Sequence, residues 1–315
     1  MTITQFQYVL AVAKHQNFST AAENSFVTQP TLSMQIQKLE EELGVIIFDR
    51  TKKPLQPTDI GKQIIKQAQI IVNESERMSD IVAQQKGVIG GEFNVGIIPT
   101  VSPTLLPMFL TNFINKYPKV SLKIEEHSTK TLINYVEDGT LDAAILATPL
   151  HRPNIVEKPL FYEPFMAYIP NNHKLQNSKT ITSDDLDIND ILMLEDGHCF
   201  KDTVLNICNQ DIVDSKKRFE LKSGSFETLI RLANEGLGMT LLPYLHTLEL
   251  KEEEKKNIHH FATPYPAREI SLVHHKNELK AQNIKALHEV ISGVVRGAIA
   301  FHDVKIISPT RKSLA

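Results

Sequence analysis

Two cysteines, Cys199 and Cys208, make up the whole thiol content of the chain, and both fall in residues 192–208, LMLEDGHCFKDTVLNIC. Asp196-Gly197 is a turn signal, and Phe200, Val204 and Ile207 follow it at helix spacing. Cys199 then sits in the first turn of a short helix and Cys208 near its end, with Cα atoms about 13 Å apart. A disulfide needs less than about 7 Å. If the two cysteines pair, the segment must unwind and refold, which would make it a switch. A helix N-terminus favours a thiolate at Cys199, as do the neighbours His198 and Lys201, while Asp202 pulls the other way. A thiolate attacks peroxide to give a sulfenic acid, and a second cysteine on a mobile segment captures that as a disulfide. The spacing also admits a plainer reading, two buried and inert cysteines serving as small apolar side chains.

Composition narrows what could surround such a switch. At 315 residues the chain has room for two or three domains. With 42% hydrophobic and 23% charged residues it reads as an ordinary soluble globular protein. The N-terminus lacks a basic n-region and an unbroken apolar core, and no stretch approaches the roughly 20 apolar residues of a membrane span. A cytoplasmic location is expected, where a two-cysteine bond is transient and not a structural framework. A net charge of −3 gives no bulk sign of nucleic acid, so DNA binding must come from local geometry.

The first 58 residues carry that geometry. Phe6, Val9, Leu10 and Ala13 share one face of a first helix. A second is expected at residues 19–23, with Ser19 or Thr20 as N-cap. Thr28-Gln29-Pro30 opens a third, with Leu32, Ile36, Leu39 and Leu43 as its buried stripe and Gly44 as its stop. Two helices joined by a tight turn form a helix-turn-helix pattern. Gln29, Pro30, Thr31, Ser33, Gln35 and Lys38 are its candidate DNA-facing residues, the amides and hydroxyls for base edges and Lys38 for phosphate. Residues 45–58 read as a wing whose tip carries Arg50, Lys52 and Lys53 for the DNA backbone or minor groove.

Thr58 should cap a long helix reaching about residue 85. Ile64, Ala68, Ile71, Ser75, Met78 and Val82 form a narrow seam that points to dimerisation, and Gly87, Gly90 and Gly91 read as a hinge. Beyond it strands and helices alternate. Strands are expected at 93–98, 120–125, 141–147, 165–169, 239–242 and 270–274. Helices are expected at 104–116, 132–137, 227–235 and 281–296. This alternation argues for parallel sheet with crossover helices. Ligand sites in such sheets collect at the carboxyl ends of strands, which singles out Pro99-Thr100, Ser128-Thr129 and the cysteine segment. Residues 251–256 read as a solvated helix face and the tail after Ser308 as frayed. No nucleotide fingerprint appears. Neighbouring histidines at 259–260 and 274–275 face opposite ways on a strand, so no metal is expected.

The chain resembles a LysR-type transcriptional regulator over nearly its full length. Phe18-Ser19-Thr20-Ala21-Ala22, Thr28-Gln29-Pro30-Thr31-Leu32-Ser33, Leu43-Gly44 and Phe48-Asp49-Arg50 match that family's N-terminal hallmark. Leu105-Leu106-Pro107, Tyr117-Pro118, Gly139-Thr140-Leu141-Asp142 and Gly236-Leu237-Gly238-Met239 look like its effector-domain landmarks. Within the family, residues 192–208 are similar to the redox loop of the hydrogen-peroxide sensors. The resemblance implies that Cys199 is peroxidatic and Cys208 resolving. It implies that Thr100, Thr129, His198, Asp202 and Arg268 hold the peroxide and the attacking sulfur, with Arg268 stabilising charge as the O–O bond breaks.

The fold class expected is α+β and multi-domain: a winged helix-turn-helix, a linker helix and an effector domain of two Rossmann-like, periplasmic-binding-protein-like subdomains. The domains would be 1–58 (DNA binding), 59–90 (linker and hinge), 91–162 with 268–302 (first subdomain), 163–267 (second, with the cysteines) and 303–315 (tail). The function implied is a non-enzymatic, peroxide-sensing regulator of oxidative-stress genes, built as a homotetramer and needing no cofactor. Its partners would be an operator duplex, hydrogen peroxide and a cytosolic disulfide reductant, with no membrane. A regulator answering a small organic effector and a thiol peroxidase are the alternatives, the second opposed by the helix-turn-helix.

Overall fold

The computed structural model describes residues 1–85, 89–194, 199–208, 224–301 and 303–309. In the N-terminal unit, α1 (Ile3–His15), α2 (Phe18–Asn24) and α3 (Gln29–Leu43) precede β1 (Phe48–Asp49), β2 (Gln56–Pro57) and the long α4 (Asp59–Gln85). Caps explain these boundaries. The Thr28 hydroxyl accepts from the Thr31 amide, Pro30 occupies the first turn where its missing N–H costs nothing, and Gly44 ends α3 at φ +68. The α2 cap differs from the sequence reading: it is Asn17, whose carboxamide oxygen accepts from the Ser19 and Thr20 amides, not Ser19 or Thr20. Val9, Val12, Ala22, Leu32, Ile36, Leu39 and Phe48 fill one core.

The linker seam divides into two halves. Its first half is covered within the chain, because Ala68 and Val72 are buried and Ile64 and Ile71 half-buried in that same core, against α1. Met78 is exposed, and the side chain of Val82 and the hinge residue Gly87 lie outside the described residues. The root of the wing is pinned to α4: the Thr58 amide donates to the Ile47 carbonyl at 2.9 Å, and the Gly61 amide to the Thr58 hydroxyl at 2.9 Å. A Cβ at Gly61 would overlap the Ile47 carbonyl, which belongs to the backbone and cannot swing aside. Gly61→Ala should therefore cost about 1–3 kcal/mol, read as a lower melting transition together with weaker duplex binding as the wing is displaced.

The second unit contains β3 (Gly91–Ile97), α5 (Ser102–Lys116), β4 (Val120–Glu126), α6 (Thr129–Glu137), β5 (Ala143–Thr148) and β6 (Ile155–Tyr168). These are followed by β7 (Ile191–Leu192), α7 (Cys199–Cys208), α8 (Phe226–Asn234), β8 (Met239–Pro243), α9 (Tyr244–Thr247) and α10 (Glu252–Lys255). Last come β9 (Ile258–His259), β10 (Tyr265–His275), α11 (Ala281–Val295) and β11 (Val304–Ile306). The sheet is mixed rather than parallel. β3 runs parallel to β4 and β5, and β7 parallel to β8, but β10 is antiparallel to both β5 and β6, and β6 antiparallel to β8.

The antiparallel ribbon of β6 and β10 is the main departure from expectation, for both strands begin well before the predicted 165 and 270. It serves two cores. One gathers Phe93, Phe109, Phe113, Ile145, Phe161, Ile270 and Leu287. The other gathers Phe165, Tyr168, Phe200, Val204, Ile207, Phe226 and Leu241. Each such fully buried side chain contributes about 1.5–3 kcal/mol. A strand not foreseen in the sequence, β11, pairs in parallel with β10, while residues 310–315, expected to fray, lie outside the described set.

Candidate redox site and DNA-binding face

Arg268 organises the site. It lies on β10 directly opposite Glu163 of β6 and is 2% exposed. Its Nε and Nη2 donate to the same Glu163 carboxylate oxygen at 2.9 and 2.8 Å. Nη1 donates to the Thr100 hydroxyl at 2.9 Å and Nη2 also to the Thr100 carbonyl at 3.0 Å. The other Glu163 oxygen accepts from the Leu245 amide of α9 at 2.9 Å. A buried charge pair is tolerated only when most of its remaining hydrogen-bond capacity is met, and here four of the five guanidinium N–H groups have these acceptors. Because the Thr100 oxygen accepts from Arg268, its hydroxyl proton is left available for donation.

Thr129 is the first residue of α6 and half-buried. The turns holding Thr100 and Thr129 follow neighbouring parallel strands, with Ile97 in register with Glu126, so both stand at the carboxyl edge of the sheet. Phe200, one residue after Cys199, places its ring 5.6 Å from the Arg268 guanidinium and packs on Phe165 and Phe226. His246 stacks on Phe226, and burial, reinforced by the Arg268 charge, pushes its pKa below the ordinary imidazole value.

The cysteines are the first and last residues of α7. Nine helical steps separate their Cα atoms by about 13 Å, beyond disulfide reach. Cys208 is 3% exposed within the second core, and burial, with a smaller contribution from the Asp187 carboxylate, pushes its thiol up to about 12. At neutral pH that thiol stays protonated. Asp202 lies one turn beyond Cys199 and is half-buried. The side chain of Cys199, the turn at 196–197 and His198 lie outside the described residues.

The bacterial regulatory helix-turn-helix family of lysR type matches residues 3–62, and the LysR substrate binding domain matches residues 86–296. A hydrogen peroxide-inducible genes activator of Pectobacterium carotovorum is 35% identical over 274 residues, covering 87% of this chain and 90% of that protein. Among solved structures, full-length OxyR of Pseudomonas aeruginosa, with a cysteine-to-aspartate substitution, gives a TM-score of 0.74 at 32% identity. It covers 93% of this chain and 98% of that one. A hydrogen-peroxide-bound cysteine mutant of Corynebacterium glutamicum OxyR gives 0.63 at 26% identity, covering 94% and 93%. The chain belongs to the LysR family, in its OxyR branch.

In this LysR-type regulator the residues expected to face DNA fall into two groups. Gln29, Pro30, Thr31 and Lys38 are exposed along α3, and Lys52 and Lys53 at the wing tip. Phe26 turns the chain into α3 in the left-handed region at φ +55, and it is 96% exposed. Ser33, Gln35 and Arg50 are instead engaged by the protein itself. Gln35 accepts from the Gln5 side chain at 3.3 Å. Arg50 pairs with Glu40 at 3.3 Å, lies 5.2 Å from the Phe18 ring and donates to the Ser33 hydroxyl at 3.5 Å.

Three residues of this LysR-type regulator have roles at these sites that the sequence reading did not assign. Glu40 is buried and accepts from the Ile47 and Phe48 amides at 2.7 and 3.2 Å, which fastens the wing to α3. Its spacing of four from Ile36 placed it on the inner face, a signal hidden among three consecutive acids. Glu163 lay just outside the predicted strand, although a lone carboxylate in the run LFYEPFMAY was visible. Phe200 was seen only as a helix-stripe residue. Its role as the ring over Arg268 depends on tertiary packing.

Proposed function

We propose that this LysR-type regulator senses hydrogen peroxide and switches its DNA binding through a reversible Cys199–Cys208 disulfide. The observation that carries the reading is α7 itself, a helix with a thiol at each end and the second thiol locked in the core. Cys199 takes an oxygen from peroxide, releasing hydroxide and becoming a sulfenic acid. The Cys208 thiol, once α7 has unwound, displaces that oxygen as water. Two thiols have then lost two electrons and two protons, and one peroxide has become two waters. Refolding withdraws Phe200 from Arg268 and so alters the packing between the two cores.

The likeness to a peroxide-bound OxyR structure and to peroxide-inducible gene activators supports peroxide as the signal. The working units are residues 1–58 for DNA, 59–90 as linker, 91–162 with 268–302 and 163–267 as subdomains, and 303–315 as tail. The regulator acts in the cytoplasm as a tetramer, is reset by a thiol reductant, and consumes peroxide stoichiometrically without turning over as an enzyme. Among the described residues no helix is long and apolar enough to cross a membrane.

The test is mass spectrometry of thiol-blocked protein before and after one equivalent of hydrogen peroxide. A loss of two hydrogens mapped to a Cys199–Cys208 link is the expected result. Two freely alkylated cysteines after the same pulse would overturn the reading and point to a small organic effector.

A further inference from the structure

We propose that the C-terminal segment 304–309 is a latch that holds α7 in its helical form and so sets how readily the two cysteines pair. The inference rests on the redox reading above but is carried by separate observations. β11 lies alongside β10 with Val304, Lys305 and Ile306 in register with Tyr265, Pro266 and Ala267. It is bonded in at both ends: the Tyr265 amide donates to the Asp303 carbonyl at 2.8 Å, and the Ile307 amide to the Ala267 carbonyl at 2.8 Å. The segment then turns inward. Ile307, 9% exposed, joins the core that contains Phe200, Val204, Ile207 and Cys208, and Pro309 is buried as well. The Ser308 carbonyl accepts from the Asn206 carboxamide of α7 at 2.9 Å.

Asn206 lies between the two cysteines, two residues before Cys208. A disulfide between residues nine apart cannot form on an intact helix, so α7 must open before Cys208 meets the Cys199 sulfenic acid. Opening from the Cys208 end carries Asn206 and Ile207 away from Ser308 and Ile307, breaking a hydrogen bond and an apolar contact that the latch supplies. The latch is removable. It is an edge strand of three residues, and a cleft of about 270 Å³ runs beneath it, bordered by Asn206, Ile207, Phe261, Pro266 and Ile307. Its backbone bonds go to β10 one residue before Arg268, so the segment ties the cysteine helix to the strand that carries the site's central charge. Local stability of a helix end governs how often it opens, and exchange of its amides reports that opening.

The experiment compares full-length protein with a chain ending at Asp303 and with Asn206→Ala. Two quantities are read: hydrogen exchange of amides 201–208 in reduced protein, and the rate of Cys199–Cys208 link formation after one equivalent of peroxide. Truncation should raise both by about tenfold and Asn206→Ala by about threefold, while amides of α8 and β8 in the same core keep their protection. Unchanged α7 exchange in both variants overturns the latch, as does a uniform rise across α8 and β8, which would mark the segment as general core mass. Faster exchange with an unchanged link rate also overturns it. Faster α7 exchange in a chain that forms no link even with the segment in place would sink the redox reading, and of the proposal would leave only the hold of the segment on α7.

Discussion

Cys199→Ser protein should bind its operator and give the same footprint before and after peroxide, a complete loss of response. Cys208→Ser should behave differently. Its first oxidation proceeds at the parental rate, adding one oxygen atom at Cys199, but no link forms and the added oxygen persists or deepens to sulfinic acid. The asymmetry comes from the two positions on α7. Cys199 stands at a helix N-terminus, where partial positive charge favours a thiolate. Cys208 is buried, and its thiol is pushed up to about 12, so it cannot compete for peroxide while the helix is intact. Footprinting and intact-mass measurement on both variants check this. A peroxide-dependent footprint in Cys199→Ser, or a Cys208→Ser protein that fails to take up the first oxygen, would contradict it.

The second large effect belongs to Glu163. Glu163→Gln keeps the size of the side chain but removes the charge facing Arg268, which is 2% exposed. Breaking a buried pair from one side leaves an uncompensated charge and costs about 3–5 kcal/mol. The expected result is a fall of that size in the stability of the regulatory domain, read from the urea midpoint at constant slope. The double variant Glu163→Leu with Arg268→Met should be less destabilised than Glu163→Gln alone, because replacing the whole pair avoids the orphaned charge. The double variant should also oxidise Cys199 more slowly, since with Arg268 gone the Thr100 hydroxyl loses the donor that fixes it. A Glu163→Gln protein within about 1 kcal/mol of the parent, the range of an exposed pair, would mean that Arg268 finds solvent or another partner.

What the sequence made legible follows from how local each signal is. Thr28, Pro30 and Gly44 mark α3 because capping is decided within four residues, and the cysteine helix was readable from Phe200, Val204 and Ile207 because an amphipathic stripe is also local. The ribbon was harder. Pro159, Pro164 and Pro266 lie in its strands and suppress a strand reading, and what overrides them is pairing between segments about a hundred residues apart. Glu163 and Arg268 meet only through that pairing, so the acid could not be assigned from its own neighbourhood. Asn17 outcompeted Ser19 and Thr20 as a cap because its carboxamide reaches two amides at once. In the linker, a seam spaced for a partner helix is served first by α1 of the same chain. β11 was missed for the same reason as the ribbon, since three residues with no pattern of their own become a strand only beside β10.

Mechanically, the β6–β10 ribbon is a torsion bar. Each strand runs through both cores without a break, so the cores are clamped to opposite ends of one piece of cross-bonded backbone. Such a bar resists stretching and bending but yields in twist. Its ladder is interrupted at the register shift between Ile270 and Ser271, where an extra residue on β6 disrupts the pairing and increases the local twist. A rearrangement at α7 loads one end of the bar, and the permitted response is rotation about its long axis. Such a rotation either adds to the intrinsic right-handed twist of β-structure or relieves it. Copies of the chain in one assembly would turn the same way on oxidation and unwind along the same axis on reduction.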